Sequence, residues 1–398
     1  MKIRILTILS MLAPAACAPD QDDGSRPATV TRDSVGIQIF ENARPPEGSR
    51  LPWRIGPEPA ASIGALEGEE PYLLHRVTDA TKLPDGRIVV ANNGTHELRV
   101  FNAVGTHLAT WGGGGEGPGE FLELWQVERW PGDSLAAWYA PRLGMSVFDA
   151  DGNHGRTFWL EEVGERFTFG APAADGSVLA IHNPEGGDTL IVQLRDGEGR
   201  VGSSFGTHPG SEPHRENVDG RRMLFWKILG REPMWTPWGD RVAIGHTGRY
   251  EIKAFRADGS LERIVRRDLV RRAPTQADIE ADIDRRLPIY GLSESEADSV
   301  RAELRPRYDG VPVAEHLPAF GSIMTDAAAH LWVEEYESVT DDFPERLWTV
   351  FDPEGGVLGF FETPKDWRIF EIGEDYILVR VRGELDVETV QVWPLERS

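Results

Sequence analysis

Ten histidines and one cysteine are the side chains with the most direct claim to chemistry in this chain. None of the histidines forms the His-Glu-x-x-His pair that places two zinc ligands on one helix face, so that class of metalloprotease is excluded by motif. His208 and His214 lie close in sequence to Glu212 and Glu216, a set that could ligate a metal but also reads as ordinary loop polarity. Asp149-Ala150-Asp151-Gly152-Asn153 opens like a calcium loop, yet its twelfth position is Leu160 where a closing Glu is needed, so it reads as a hairpin turn. Glycines 112–115 could cradle a phosphate, but no Gly-Lys-Ser/Thr follows and the segment leads into a strand. No Gly-x-Ser-x-Gly elbow is present.

The elements that must position such residues come from the rest of the chain. Against 42 Lys and Arg stand 65 Asp and Glu, a net charge of −23, which excludes a protein that reads nucleic acid through a basic face. The 43 Gly and 28 Pro fall short of the roughly 25–30% that marks low-complexity chains, and 13 Trp with 16 Phe supply a large core. A single cysteine excludes a disulfide framework. Lys2 and Arg4 precede an apolar run at 5–13, too short to span a bilayer and of the length of a signal segment, so the chain is expected to be exported.

Repeats follow. Val100-Phe101 precedes a turn at 102–105, and Val147-Phe148 precedes Asp149 to Gly152, an apolar-then-turn signal that recurs before Asp196-Gly197, Asp258-Gly259 and Glu354-Gly355. Each is an apolar strand followed by a turn whose Gly accepts positive φ. A second turn and strand lies upstream, as in Pro84-Asp85-Gly86 before Ile88-Val89-Val90. Four short strands per unit of about 45 residues is the arithmetic of a β-propeller. The expected blades are 77–111, 122–160, 166–206, 234–266 and 320–362, with a last set at 367–394. That last set has three strands, so a strand at 36–40 or 61–64 is expected to complete it and close the ring. Trp332, Trp348, Trp367 and Trp393 sit inside strand patterns and are expected between blades.

The connector from Trp111 to Phe121, with its glycines, and the Asp-Gly and Val-Phe turns resemble NHL-type six-bladed β-propellers, and residues 33–395 resemble exported bacterial propellers of unassigned function. The resemblance implies an all-β, six-bladed β-propeller. Asn92 stands where such repeats commonly carry Asp, which departs from any carboxylate-dependent role there. The segment from Leu12 to Cys17 similarly resembles a bacterial lipoprotein signal, with Pro14 as a departure. It implies lipidation at Cys17, a signal at 1–17, a flexible tether at 18–32 and a propeller over 33–398. Ala18 after the cysteine implies an outer-membrane lipoprotein facing the periplasm or cell surface; an ordinary signal would leave a periplasmic or secreted protein.

Two segments exceed the repeat, 207–233 and 267–319. The second is expected to hold two helices between blades four and five. Thr275 and Asp278 cap one with Ile279, Ile283 and Leu287 on a face; Ser293 and Glu296 cap the other before Ala297, Val300 and Leu304. Strands alternate in direction, so both insertions rise on the face that also carries the second-to-third loops of every blade. Asn92, Arg142, His182, His246, Arg249 and Tyr336 fall on those loops and are the candidate binding residues. The function expected is a non-enzymatic, monomeric binding or scaffold module for a peptide, glycan or envelope protein, with no cofactor and no nucleic acid. The alternative is a hydrolase or lyase with a divalent metal at the channel mouth, as in metal-dependent lactonases and amidating lyases of similar shape.

Overall fold

A computed structural model describes residues 28–140, 144–160, 167–172, 176–183, 187–218, 220–289 and 293–397. Its strands form a six-bladed β-propeller. Blade 1 runs through Val77–Lys82, Ile88–Asn92, Glu97–Phe101 and His107–Gly112. Blade 2 uses Glu123–Trp130, Ser134–Ala140, Gly144–Phe148 and His154–Trp159, and blade 3 Phe167–Pro172, Val178–His182, Thr189–Arg195 and Val201–Pro209. Blade 4 is Pro233–Trp238, Arg241–His246, Glu251–Arg256 and Leu261–Arg267. Ile323–Thr325, Leu331–Glu334, Glu345–Phe351 and Val357–Pro364 make blade 5. Blade 6 is Arg368–Ile372, Tyr376–Arg382 and Glu388–Glu396, completed on its outer side by Ala61–Ile63.

Of the two candidates for closure, then, 61–64 is the one used. Gly64 leaves the strand at φ 130°, and a Cβ there would lie 2.4 Å from the carbonyl oxygen of Glu388, so only glycine lets the two ends of the chain meet this closely. The other candidate is also a strand, but Ile37–Asn42 lies parallel to the outermost strand of blade 4, and Thr29–Ser34 pairs with it as a hairpin. The strand Thr29–Ser34 thus overlaps the end of the stretch 18–32 expected to be a tether. Between the two, Leu51 bonds to Phe360 of blade 5 and Trp53 packs on Trp332 and Phe361, so the first described residues strap the outside of blades 4, 5 and 6.

The core lies between blades. Val89, Val100, Phe121, Leu124 and Phe148 join blades 1 and 2; Trp238, Tyr250, Phe320, Leu331 and Phe351 join blades 4 and 5. Trp332, Trp348 and Trp367 are buried there as expected, with Trp393 partly so. The calcium-like run is a turn: Asp149 Oδ1 accepts N–H bonds from Asp151 and Asn153 at 3.0 and 2.8 Å. Glycines 112–115 are connector, folded back so that Phe121 N–H bonds to Gly113 at 2.8 Å.

Both extra segments lie between blades. Residues 213–226 form a hairpin, Pro213–Val218 with Arg221–Trp226, and 268–319 hold helices α1, Gln276–Arg286, and α2, Glu294–Leu304. They join each other. Ile228 N–H bonds to Pro312 and Ala314 N–H to Ile228, both at 2.9 Å, and Phe225, Ile228, Leu229, Ile279, Ile283 and Val311 form one apolar cluster with Tyr336 of blade 5. The two insertions are a single cap standing on blades 4 and 5.

Candidate functional site

Helix α1 is the wall of the cap that faces the propeller, and its sequence fixes it at three points. Thr275 accepts the N–H of Asp278 at 3.2 Å while Asp278 Oδ2 accepts that of Thr275 at 2.8 Å, a reciprocal cap at the first turn. The other oxygen of Asp278 takes the Ser338 hydroxyl at 2.5 Å and the Val339 N–H at 3.1 Å, which ties the helix start to the second-to-third loop of blade 5. One turn on, buried Asp282 accepts from Leu229 N–H at 2.9 Å, Arg286 Nε at 2.9 Å and Arg285 Nη2 at 2.6 Å. Burial alone would raise the Asp282 carboxyl, but Arg286 and these donors hold it below the usual range; Asp278 is lowered in the same way by Ser338 and Thr275.

Between this helix and the blades lies a cleft of about 450 Å³. Asp282 and Arg285 line one side, Thr247, Phe320, Glu334 and Tyr336 the other. A second cleft of about 360 Å³ lies beside it, lined by Arg271, Arg272, Asp341, Phe343 and Arg346. Pro318, Glu334, Tyr336 and Glu337 belong to both. The charges in them are matched: Arg272 grips Asp341 through two bonds of 2.8 and 2.7 Å, Glu334 takes Arg346 Nε at 3.1 Å and the Ser322 hydroxyl at 2.5 Å, and Glu232 meets Arg285 at 3.2 Å. Burial pushes the Tyr336 phenol up to about 12, so it stays a neutral donor. Such walls offer hydrogen bonds and an aromatic face to a ligand.

The residues singled out from sequence scatter. Tyr336 is at the centre of the paired clefts. His246 and Arg249 are next to them, beyond Thr247, where they line a small hollow with His208 and Lys253. His246 is kept neutral by burial and by Arg249 and Arg231, and Arg249 pairs with Glu251. His182 is far along the ring on blade 3, half-buried, its imidazole pKa lowered by burial and by Arg195. Asn92 is a correction to the expected surface role: it is fully buried, its Oδ1 accepting His75 N–H at 2.8 Å and its Nδ2 donating to Thr95 at 2.7 Å, so the side chain locks a turn and faces no ligand. Arg142 and Cys17 lie outside the described residues. His208, His214, Glu212 and Glu216 do not converge: His208 bonds to Phe205, Glu212 bonds to Lys227 and Arg231, and His214 Nε2 only approaches Glu216, at 3.5 Å. Among the described residues no group of three His, Cys, Asp or Glu is placed to hold a metal ion.

A second constellation escaped sequence reasoning. Asp79, Glu128 and Glu371 stand on the innermost strands of blades 1, 2 and 6. Arg129 of blade 2 reaches Glu371 of blade 6 at 2.9 Å, a bond between blades that are not neighbours and therefore one along the bore. The faint signal was acid within apolar inner-strand runs, as in Val127-Glu128 and Phe370-Glu371; only the register of three strands shows that they meet.

No family model matches the chain, and no curated protein matches it. Solved structures do. A Bacteroides fragilis protein given as exported superposes with a TM-score of 0.51 at 12% identity, covering 90% of this chain and 99% of its own. A DUF4221 member from Bacteroides vulgatus gives 0.45 at 8% identity over 87% and 99%, and a quinupristin-bound, inactivated virginiamycin B lyase from Staphylococcus aureus 0.42 at 12% over 84% and 86%. At such identities the likeness extends to the fold alone.

Proposed function

We propose that the protein is an exported binding module that captures a peptide, a glycan or an envelope protein on the cap-bearing face. One observation carries this reading: two insertions, separated in sequence by a whole blade, fold into one cap that stands over a cleft of about 450 Å³ against blades 4 and 5. A ring that served only as a spacer has no use for such a roof. Matched charges and a neutral Tyr336 suit recognition by hydrogen bonding and stacking more than bond cleavage.

Export rests on the signal-like start of the sequence, and the lipoprotein, outer-membrane and NHL-type assignments rest on the resemblances at Cys17 and in the connector 111–121. The position of the first strand agrees with a tether. Thr29 pairs with Asn42, which lies opposite Arg267, the last residue of blade 4 before the helical insertion. A lipid at Cys17 would therefore hold the cap-bearing face within about 40 Å of the bilayer, since an extended residue spans about 3.3–3.6 Å.

The test is capture from envelope extract by the protein and by a variant with 268–317 replaced by a Gly-Ser linker. The ring of the variant should stay folded, because the segment lies outside every blade, and capture should be lost. Equal capture by both would move the site elsewhere. A bound divalent metal with a turnover that chelation removes would instead establish the enzyme reading.

A further inference from the structure

We propose that the bore contains a proton clamp: Asp79 and Glu128 retain at least one proton between them near neutral pH, and losing it loosens the joint of blades 6, 1 and 2. The geometry comes first. Three carboxylates on adjacent inner strands face a shared space, and the donors around them are unequally divided. Glu371 takes nearly all: Arg129 at 2.9 Å, the Thr81 hydroxyl at 2.9 Å, Lys82 N–H at 3.2 Å and the Tyr376 hydroxyl. Asp79 accepts two backbone N–H bonds, from Ala80 at 2.9 Å and from Val127 of blade 2 at 3.0 Å. Glu128 is left with the Gln126 amide at 3.3 Å.

The remaining charged groups around the bore are already engaged. Lys82 lies 4.0 Å over the Tyr376 ring, Arg380 bonds to the Val77 carbonyl at 2.8 Å and pairs with Glu388, and Glu388 accepts Val77 N–H at 2.7 Å. Arg368 packs on Phe370 and acts on Asp79 from a distance; Asp375 adds negative charge beside Tyr376. Among the described residues, two arginines, one committed to Glu371, thus face three half-buried carboxylates. Like charges that share one enclosed space cannot all ionise at their ordinary pKa. In agreement, burial, with Glu371 adding to it, raises Asp79 to about 7, and burial, then Asp79 and Glu371, push Glu128 well above the usual carboxylate range.

The location gives the proton a structural consequence. Blade 6 is closed by the pairing of Ala61–Ile63 with its strand Glu388–Glu396, and Glu371 and Glu388 bind the backbone of blade 1 just as Asp79 binds that of blade 2. Charging Asp79 and Glu128 sets repulsion among the inner strands of blades 6, 1 and 2, whose backbones these carboxylates join.

The experiment is thermal unfolding of the full chain from about pH 5 to about pH 8. Tm should fall by a few degrees across the range in the native protein, fall less in Glu128→Gln, and stay level in the double variant Asp79→Asn with Glu128→Gln, whose neutral amides copy the protonated acids. Infrared spectra over the same range should show a protonated-carboxyl band that bleaches with rising pH and is reduced in Glu128→Gln, and reduced also in Asp79→Asn should the first variant fold poorly. A native Tm that is flat or rises, or a full-sized band in both variants, would overturn the proposal.

Discussion

Asp282 in the cap and Asp79 in the bore are both enclosed acids, yet the structure moves their pKa values in opposite directions. Burial raises each. The difference is in who supplies the donors. Asp282 has Arg286 and Arg285 on its own helix and the Leu229 N–H before it, three donors of which only Arg285 is shared, with Glu232. Asp79 has two backbone N–H bonds and must share its neighbourhood with Glu128 and Glu371, the second of which engages the nearer arginine. Local sequence supplies the cap acid, because residues three and four apart on a helix are neighbours. Tertiary structure supplies the bore acids, and it brings like charges together. The cap is therefore a salt-bridged attachment, and the bore a joint that holds best when protonated.

The sharpest way to break the contrast is Asp282→Ala. The side chain is 3% exposed, and its loss leaves Arg286 without its carboxylate and the Leu229 N–H without an acceptor. Removing one partner of a buried pair costs about 3–5 kcal/mol, and the low end applies because Arg286 keeps the carbonyls of Trp226 and Lys227 at 3.1 and 3.2 Å. Hydrogen exchange should quicken through the hairpin 213–226 and helix α1 while the blades remain protected. Unchanged protection of α1 would mean that the apolar cluster alone holds the cap.

The pH response comes next in size, and its sign differs between the regions. Asp278 and Asp282 have folded pKa values below the 3.8 of an ordinary Asp, so their stabilisation is present above about pH 4 and fades as pH falls through the lowered values. Asp79 is raised from 3.8 to about 7, so its contribution is full below about pH 4 and is lost as pH rises toward 7. Acid should thus release the cap before the ring, and a rise from about pH 4 toward 7 should weaken the ring while the cap stays docked. Exchange rates corrected for intrinsic pH dependence, read separately in α1 and in Val77–Lys82, will test this; parallel behaviour of the two segments would erase the distinction.

How far these regions were legible in the sequence follows the same division between local and distant. The hairpin turns could be read because Asp149 and Gly152 make their own contacts within four residues. The capping boxes of α1 and α2 were legible for the same reason. Ring closure was only half legible: 36–40 and 61–64 both read as strands, and both are, but which blade each one joins depends on contacts with Arg263 to Arg267 and Val390 to Val392 far along the chain. That the two insertions form one cap was hidden, since the bridge between Ile228 and Val313 spans a complete blade. Asn92 was misread because its loop position says nothing of the His75 N–H folded onto it.

The smallest effect sharpens the account of α1. Thr275 both accepts the Asp278 N–H and donates its hydroxyl to Asp278 Oδ2 at 2.6 Å, so Thr275→Ala removes the cap and one of the donors that keep Asp278 ionised. Replacing an N-cap Thr by Ala costs about 1 kcal/mol. Asp278 would still hold the Ser338 hydroxyl and Val339 N–H, so the helix should remain on blade 5 and fray only at its first turn. The expected outcome is faster exchange confined to the first turn of α1, with partner capture retained and the acid release of the cap moved to slightly higher pH. Thr275→Ser, which keeps the hydroxyl, should restore all three. If Thr275→Ala instead frees the whole cap, the attachment depends on the helix start and Asp282 is secondary, which would reverse the order of the first prediction and this one.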